Sequence, residues 1–257
     1  MKKGIIVASF GTSYPETRKK CIESIENKIT EKYPEYEVKR AFTSFRIIKK
    51  LKERDGIHID TPSEALDKMI QAGVKEIHVQ PLHIIPGFEY EKVKHAVIMA
   101  NHKEGVKVTI GSPLLNQEEH YDQVIDALIK KLPKEKDSEA FIFMGHGTEH
   151  FANACYSMLQ NKLSDIRNDI YIANVEGYPE IDHIVTKVAD KYKKITLLPL
   201  MLVAGDHAIN DMAGEDEDSF KSILEEEGIE VTCILKGLGE NEDIQNVFVS
   251  RIEEDLD

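Results

Sequence analysis

Two stretches of this chain follow one plan. EALDKMIQAGVKEIHVQPLHIIPG at 64–87 and DHIVTKVADKYKKITLLPLMLVAG at 182–205 are equal in length. Each reads as a helix, a short connection and an apolar strand, then Pro-Leu, four residues and Gly. SFGTS at 9–13 likewise resembles GHGTE at 145–149. Repetition on this scale points to two copies of one structural unit with a cleft between them. Shared punctuation among all βαβ units would produce part of the same likeness. In this alignment His146 falls opposite Phe10, and His207 falls opposite Glu89.

The rest of the chain fits that plan. Apolar runs predict strands at 4–9, 37–42, 76–85, 106–110, 140–144, 170–175, 195–202 and 229–235. Helices are predicted between them. From Pro15 onward, Ile22, Ile25, Ile29 and Tyr33 recur at helical spacing on one apolar face. A short basic helix is read over 45–54. Thr61-Pro62-Ser63-Glu64 is a capping box with proline at the first helical position. Further helices are read over 89–102, 118–132 and 179–192, after His150, after His207 and at the end of the chain, with Thr148 and Glu149 expected to open the one near His150. Strands alternating with helices favour parallel sheets covered on both faces. PKEKDS at 133–138 is the most linker-like stretch, so the halves are drawn as 1–133 and 134–257. The expected fold class is α/β: two similar four-stranded parallel-sheet halves, with the active site in the cleft.

Composition excludes several functions. A formal net charge of -13 argues against non-specific nucleic-acid binding, which needs basic surface. No apolar stretch approaches the roughly 20 residues of a membrane span, so no membrane partner is expected. MKKGIIVASFGTS turns polar too soon for a signal peptide and reads as a first strand. Cys21, Cys155 and Cys233 form no CxxC pair, as suits a reducing compartment, and the cytoplasm is the expected location. There is no GxxxxGK[ST], complete GxGxxG, GxSxG or HExxH motif. No nucleotide or organic cofactor is expected.

The second half concentrates the chemistry. FIFMGHGTEH at 141–150 ends an apolar run in His146 between two glycines. Glu176 follows the strand at 170–175, and His207 lies just past the strand at 195–202. Ligands of open α/β sheets bind at the carboxyl ends of the strands. If these strands are neighbours, two imidazoles and one carboxylate meet at one edge. Such a set suits a borderline divalent metal with open positions. His150 is a rival ligand four residues from His146, or a group that orients it. His83 and Glu89 end the matching strand of the first half, where a buried histidine and a helix-starting glutamate are the simpler readings. The acids of Asp211 to Asp218 read as a solvated run that can also draw cations toward His207. Phe10, Tyr14, Phe88 and Tyr90 can offer flat apolar surface to a flat ligand, or ordinary packing.

The ordered motifs SFGTS, PLHIIPGFEYEKV, MGHGTEH, NVEGYP and PLMLVAGDHAINDMAGEDEDSF together resemble the class II tetrapyrrole chelatases. Among these, the anaerobic-type sirohydrochlorin cobaltochelatases of cobalamin biosynthesis are most similar. The resemblance spans essentially the whole chain. It implies a chelatase-like fold and an enzyme of the lyase class that inserts Co(II), as substrate metal, into the tetrapyrrole sirohydrochlorin without ATP. It also implies that His146, Glu176 and His207 are the metal ligands and that His146 accepts protons. Phe10, Thr12, His83 and Glu89 are the candidate substrate contacts. An iron or nickel chelatase on a related tetrapyrrole, and a non-catalytic metal or tetrapyrrole carrier, remain open alternatives, as does a homo-oligomer. The acidic chain must offset the substrate's carboxylates locally. Backbone N–H groups after SFGTS and GHGTE, with Arg18 or Arg46, are expected to do so.

Overall fold

The computed structural model describes residues 2–256. Its two central strands come from the most continuously apolar runs. β1 (Lys3–Ser9) and β5 (Glu139–Gly147) are buried along almost their whole length. Such strands need cover on both faces, which a parallel sheet flanked by helices provides. The first sheet has the order β2-β1-β3-β4, with β2 (Tyr36–Phe42), β3 (Glu76–Pro81) and β4 (Lys107–Ile110). The second has the order β6-β5-β7-β8, with β6 (Ile170–Glu176), β7 (Lys194–Pro199) and β8 (Glu230–Cys233). Every pairing is parallel. Strand for strand the two sheets have one topology, as the internal repeat requires.

Helices connect the strands. α1 (Pro15–Arg18) continues through a π-helical turn at Lys19–Glu23 into α2 (Ser24–Lys32). Ile22, Ile25 and Ile29 are fully buried on its predicted face. α3 (Phe45–Asp55) is capped by Ser44, whose hydroxyl accepts from the Ile47 N–H. α4 (Pro62–Gln71) starts with the Thr61–Glu64 capping box, both arms formed. α5 (Phe88–Asn101), α6 (Glu118–Ile129), α7 (Ala154–Ser164), α8 (Ile181–Val188), α9 (Phe220–Glu226) and α10 (Glu242–Leu256) follow. Among the described residues no helix is long and apolar enough to cross a membrane.

The chain forms two compact units, Met1–Asn116 with Gly239–Asp257, and Gln117–Leu238. Relative to a division at residue 133, α6 joins the second unit and α10 returns to the first. α10 lays Ile244, Phe248 and Ile252, all fully buried, against α2 and β3. α6 packs on α7, where Lys162 pairs with Asp122 at 2.9 Å.

Three predicted boundaries are corrected. β3 and β7 stop at Pro81 and Pro199 rather than at 85 and 202. Proline lacks the N–H that would carry the ladder on. One further bond closes each end: Leu82 N–H donates to the Ala8 carbonyl and Leu200 N–H to that of Met144, both at 2.7 Å. β5 instead runs on to Gly147, past the predicted 144, because β6 continues to pair with it. Thr148 and Glu149 therefore lie in a loop, and a 3-10 turn at Phe151–Asn153 leads into α7. The predicted helix at 179–192 is regular only over α8.

Candidate metal centre

His146 is the penultimate residue of β5 and is half-buried. Its neighbours are glycine for reasons of space. A Cβ at Gly145 would come 2.3 Å from Asn174 Oδ1 and 2.7 Å from the Tyr156 ring. Gly147 has a φ of +75°, and a Cβ there would lie 1.6 Å from the Glu176 carbonyl oxygen. The close approach that these glycines allow is made by the protein itself. It seats the end of β5 against β6, with Gly147 in register with Glu176. Tyr156 is buried behind this point against the Gly147 backbone, and burial pushes its phenol up to about 12.

His207 reaches the same edge by another route. After β7 the chain passes through a loop seated on Gly237, where a Cβ would meet the Leu202 carbonyl at 2.4 Å. His207 then heads a π-helical turn, Ala208–Met212, whose Ala208 and Met212 are fully buried anchors. π-turns interrupt the regular helical ladder and recur at functional sites.

The two imidazoles meet. Their ring centroids are 4.7 Å apart and their planes cross at 83°. Each Nδ1 has an acceptor: the Gly147 carbonyl at 3.0 Å from His146, and Asp211 Oδ2 at 2.8 Å from His207. A carbonyl or carboxylate oxygen accepts, so each neutral ring carries its proton on Nδ1. That leaves a lone pair on each Nε2, the nitrogen available to a metal or to a proton.

Glu176 ends β6 beside this pair, and its side chain is exposed. It is brought to the same edge by register but does not close on the imidazoles. Among the described residues, no three His, Cys, Asp or Glu side chains form a group that could hold a metal ion. His150 serves the backbone instead: its Nδ1 accepts from the Ala152 N–H at 3.1 Å and caps the 3-10 turn.

The candidates of the first unit lie in different surroundings. Phe10 is about half exposed. Thr12 is buried, with Oγ1 accepting from the Tyr14 N–H at 3.2 Å. His83 is buried, and neither ring nitrogen has a hydrogen-bond partner. Burial lowers its pKa to about 4; the charge of Glu89 opposes this and that of Lys92 adds to it. Glu89 receives Lys92 Nζ on Oε1 at 2.5 Å, while its Oε2 is buried without a partner. Arg18 is buried too, Nε 3.8 Å from Glu23 and Nη1 unpartnered, whereas Arg46 is exposed at the start of α3.

Sequence reasoning placed Asp211 in an acidic run near His207 without pairing it to the ring, and it missed the roles of Asn153, Asn174 and Tyr156. For Asp211 a signal existed: a carboxylate four residues after a histidine in a helical segment meets it on one face. Nothing local marks the other three, whose roles depend on pairing between β5 and β6.

The fold is that of the chelatases. The chain superposes on the solved structure of SirB from Bacillus subtilis with Fe3+ with a TM-score of 0.67, over 99% of this chain and 95% of that one, at 13% identity. Residues 3–257 match the family model described as cobalt chelatase (CbiK). The sirohydrochlorin cobaltochelatase of Salmonella typhimurium is 42% identical over 100% of this chain and 97% of its own length. Sirohydrochlorin cobaltochelatase CbiKC of Nitratidesulfovibrio vulgaris is 32% identical, over 98% of this chain and 89% of its own. The chain belongs to the cobalt chelatase family, and it is an enzyme.

Proposed function

We propose that the protein inserts Co(II) into sirohydrochlorin, as sirohydrochlorin cobaltochelatases such as its two relatives are named for doing, and that it does so without a nucleotide. The observation that carries this reading is the pair of imidazoles, each with Nδ1–H held and Nε2 bare. His146 and His207 bind the incoming ion through Nε2. Glu176 swings in from the neighbouring strand end as the third ligand. Three ligands on one side leave the ion open toward the ring. A site that closes only with the ion present holds it loosely enough to release it.

Insertion exchanges two pyrrole N–H protons for one divalent ion. The Nε2 lone pair of His146 takes one of these protons after it has given up the metal, since one nitrogen cannot do both at once, and the second proton passes to water. The Gly147 carbonyl keeps the Nδ1 proton throughout, so no tautomer change is needed. Apolar side chains suit a flat ring here: Phe151, Tyr178 and Ile209 are exposed just beyond His146, Glu176 and His207. In the first unit Phe10, Thr12, His83 and Glu89 are the proposed ring contacts. We assign the reaction to the cytoplasm, where thiols stay reduced; Cys21, Cys155 and Cys233 form no disulfide.

A metal-competition assay tests the reading. Purified protein is given sirohydrochlorin with Co(II), Fe(II) or Ni(II), and the visible spectrum of the ring is followed. The expected result is catalysed insertion with Co(II) preferred. Preference for iron or nickel would overturn the choice of metal. Tight stoichiometric binding with no rate above that of the free ions would make the protein a carrier.

A further inference from the structure

The loop after β5 and the loop after β6 each carry a proposed ligand at their root, His146 and Glu176. Each is an irregular segment, and irregular segments are mobile unless tied down. One side chain spans them. Asn153, in the 3-10 turn before α7, accepts on Oδ1 from the Thr148 N–H at 3.1 Å. Its Nδ2 donates to the Tyr178 carbonyl at 2.6 Å. Thr148 lies two residues past His146, and Tyr178 two past Glu176. The same Tyr178 carbonyl accepts a second bond, from Asn174 Nδ2 at 3.1 Å. Asn174 N–H donates to the Pro179 carbonyl at 2.7 Å, which folds the segment after Glu176 back onto β6.

We infer that Asn153 is a positioning residue that ties the two loops together and so sets the reach of Glu176 relative to His146. This rests on the metal-holding role proposed above for those two residues. Both functions of the amide are in use, one accepting and one donating, so an isostere with only one of them separates the arms. Glu176 is exposed and must travel to complete the site. Its backbone must therefore be fixed for its side chain to arrive at a defined place. Groups that orient ligands without touching the ion typically contribute roughly 10–100-fold in metal affinity.

Co(II) binding is measured calorimetrically on the full chain, without the ring, for wild type, Asn153→Ala, Asn153→Asp, Glu176→Gln and His146→Ala. Turnover is measured in parallel, and thermal melts are recorded for each variant. Asn153→Ala is expected to weaken Co(II) binding about tenfold or more and to raise KM for Co(II), with KM for sirohydrochlorin unchanged. Asn153→Asp keeps the acceptor for Thr148 but loses the donor to Tyr178, so it should fail like Ala while melting near wild type. Wild-type Co(II) affinity in both Asn153 variants, with binding lost in Glu176→Gln and His146→Ala, would overturn the clamp and leave the ligands standing. Equal rises in both KM values would also overturn it. Undiminished binding in Glu176→Gln and His146→Ala would instead overturn the ligand reading on which the clamp rests.

Discussion

At the end of β1 stands Phe10; at the matching end of β5 stands His146. The two sheets share one strand order, yet their carboxyl edges treat polar groups differently. On the first sheet His83 is buried without partners and its charged form is suppressed. His78, within β3, is also buried and lowered to about 4, chiefly by desolvation, with Thr109 Oγ1 at 2.9 Å from its Nδ1. On the second sheet the two histidines are only half-buried, and each has an acceptor on one nitrogen. One duplicated frame thus holds imidazoles in two ways. Burial disfavours the charged form of the first pair. Partial exposure with a fixed tautomer leaves the second pair with Nε2 open, as the proposed ligand role needs.

The most direct attempt to break this contrast is truncation at equivalent positions. His146→Ala and His207→Ala should each lower turnover by roughly 10³-fold, as loss of a ligand or proton acceptor does. Thermal melts should show the fold intact, since both side chains are partly exposed. Phe10→Ala, at the equivalent of His146, should cost less than about tenfold. Comparable losses at Phe10 and His146, measured as kcat/KM under one set of conditions, would erase the distinction between the edges.

Acid tests the first sheet. An imidazole with its folded pKa near 4 and its unfolded value near 6.5 binds its proton less readily when folded. Its stabilising contribution is therefore complete above pH 6.5 and is lost as pH falls toward 4. Each of His78 and His83 contributes at most about 3 kcal/mol in that window. Denaturant melts from pH 7 to pH 4 should show His83→Leu with a flatter pH dependence than wild type. An unchanged slope would mean that burial is not what separates His83 from His146.

Much of this frame was legible in the sequence. The repeat at 64–87 and 182–205 implied two sheets of one topology, and the strand ends led to His146, Glu176 and His207. The proline stops of β3 and β7 went unread, because the apolar residues that follow, from Leu82 and Leu200 on, prolong the apparent strand. What could not be read was lateral. Gly145 and Gly147 look like turn glycines along the chain, and only pairing with β6 shows that Asn174 and the Glu176 carbonyl fill their space. Asn153 links residues 148 and 178, a separation over which no local rule operates.

Asp211 sharpens the contrast from the second sheet's side. Its carboxylate keeps the His207 proton on Nδ1. Asp211→Ala should free the ring to rotate and to exchange tautomers, lowering Co(II) affinity by roughly 10–100-fold. Asp211→Asn, whose side-chain oxygen can still accept from Nδ1, should recover part of the loss. Co(II) titration of the three proteins decides the matter: if Asn binds no better than Ala, charge near the ion matters and the tautomer does not.

The smallest expected effect concerns the apolar residues that the two edges have in common. Phe10, Phe45 and Phe88 follow β1, β2 and β3; Phe151, Tyr178 and Ile209 follow β5, β6 and β7. All six are exposed by more than a third, so each offers apolar surface that a flat partner can cover. Only the second trio directly follows proposed metal ligands. Phe151→Ala and Tyr178→Ala should each raise KM for sirohydrochlorin roughly fivefold, about 1 kcal/mol of lost ring contact, and leave KM for Co(II) unchanged. Phe45→Ala and Phe88→Ala should fall short of that. Larger effects from Phe45 and Phe88 would move the ring's main apolar contact to the first sheet.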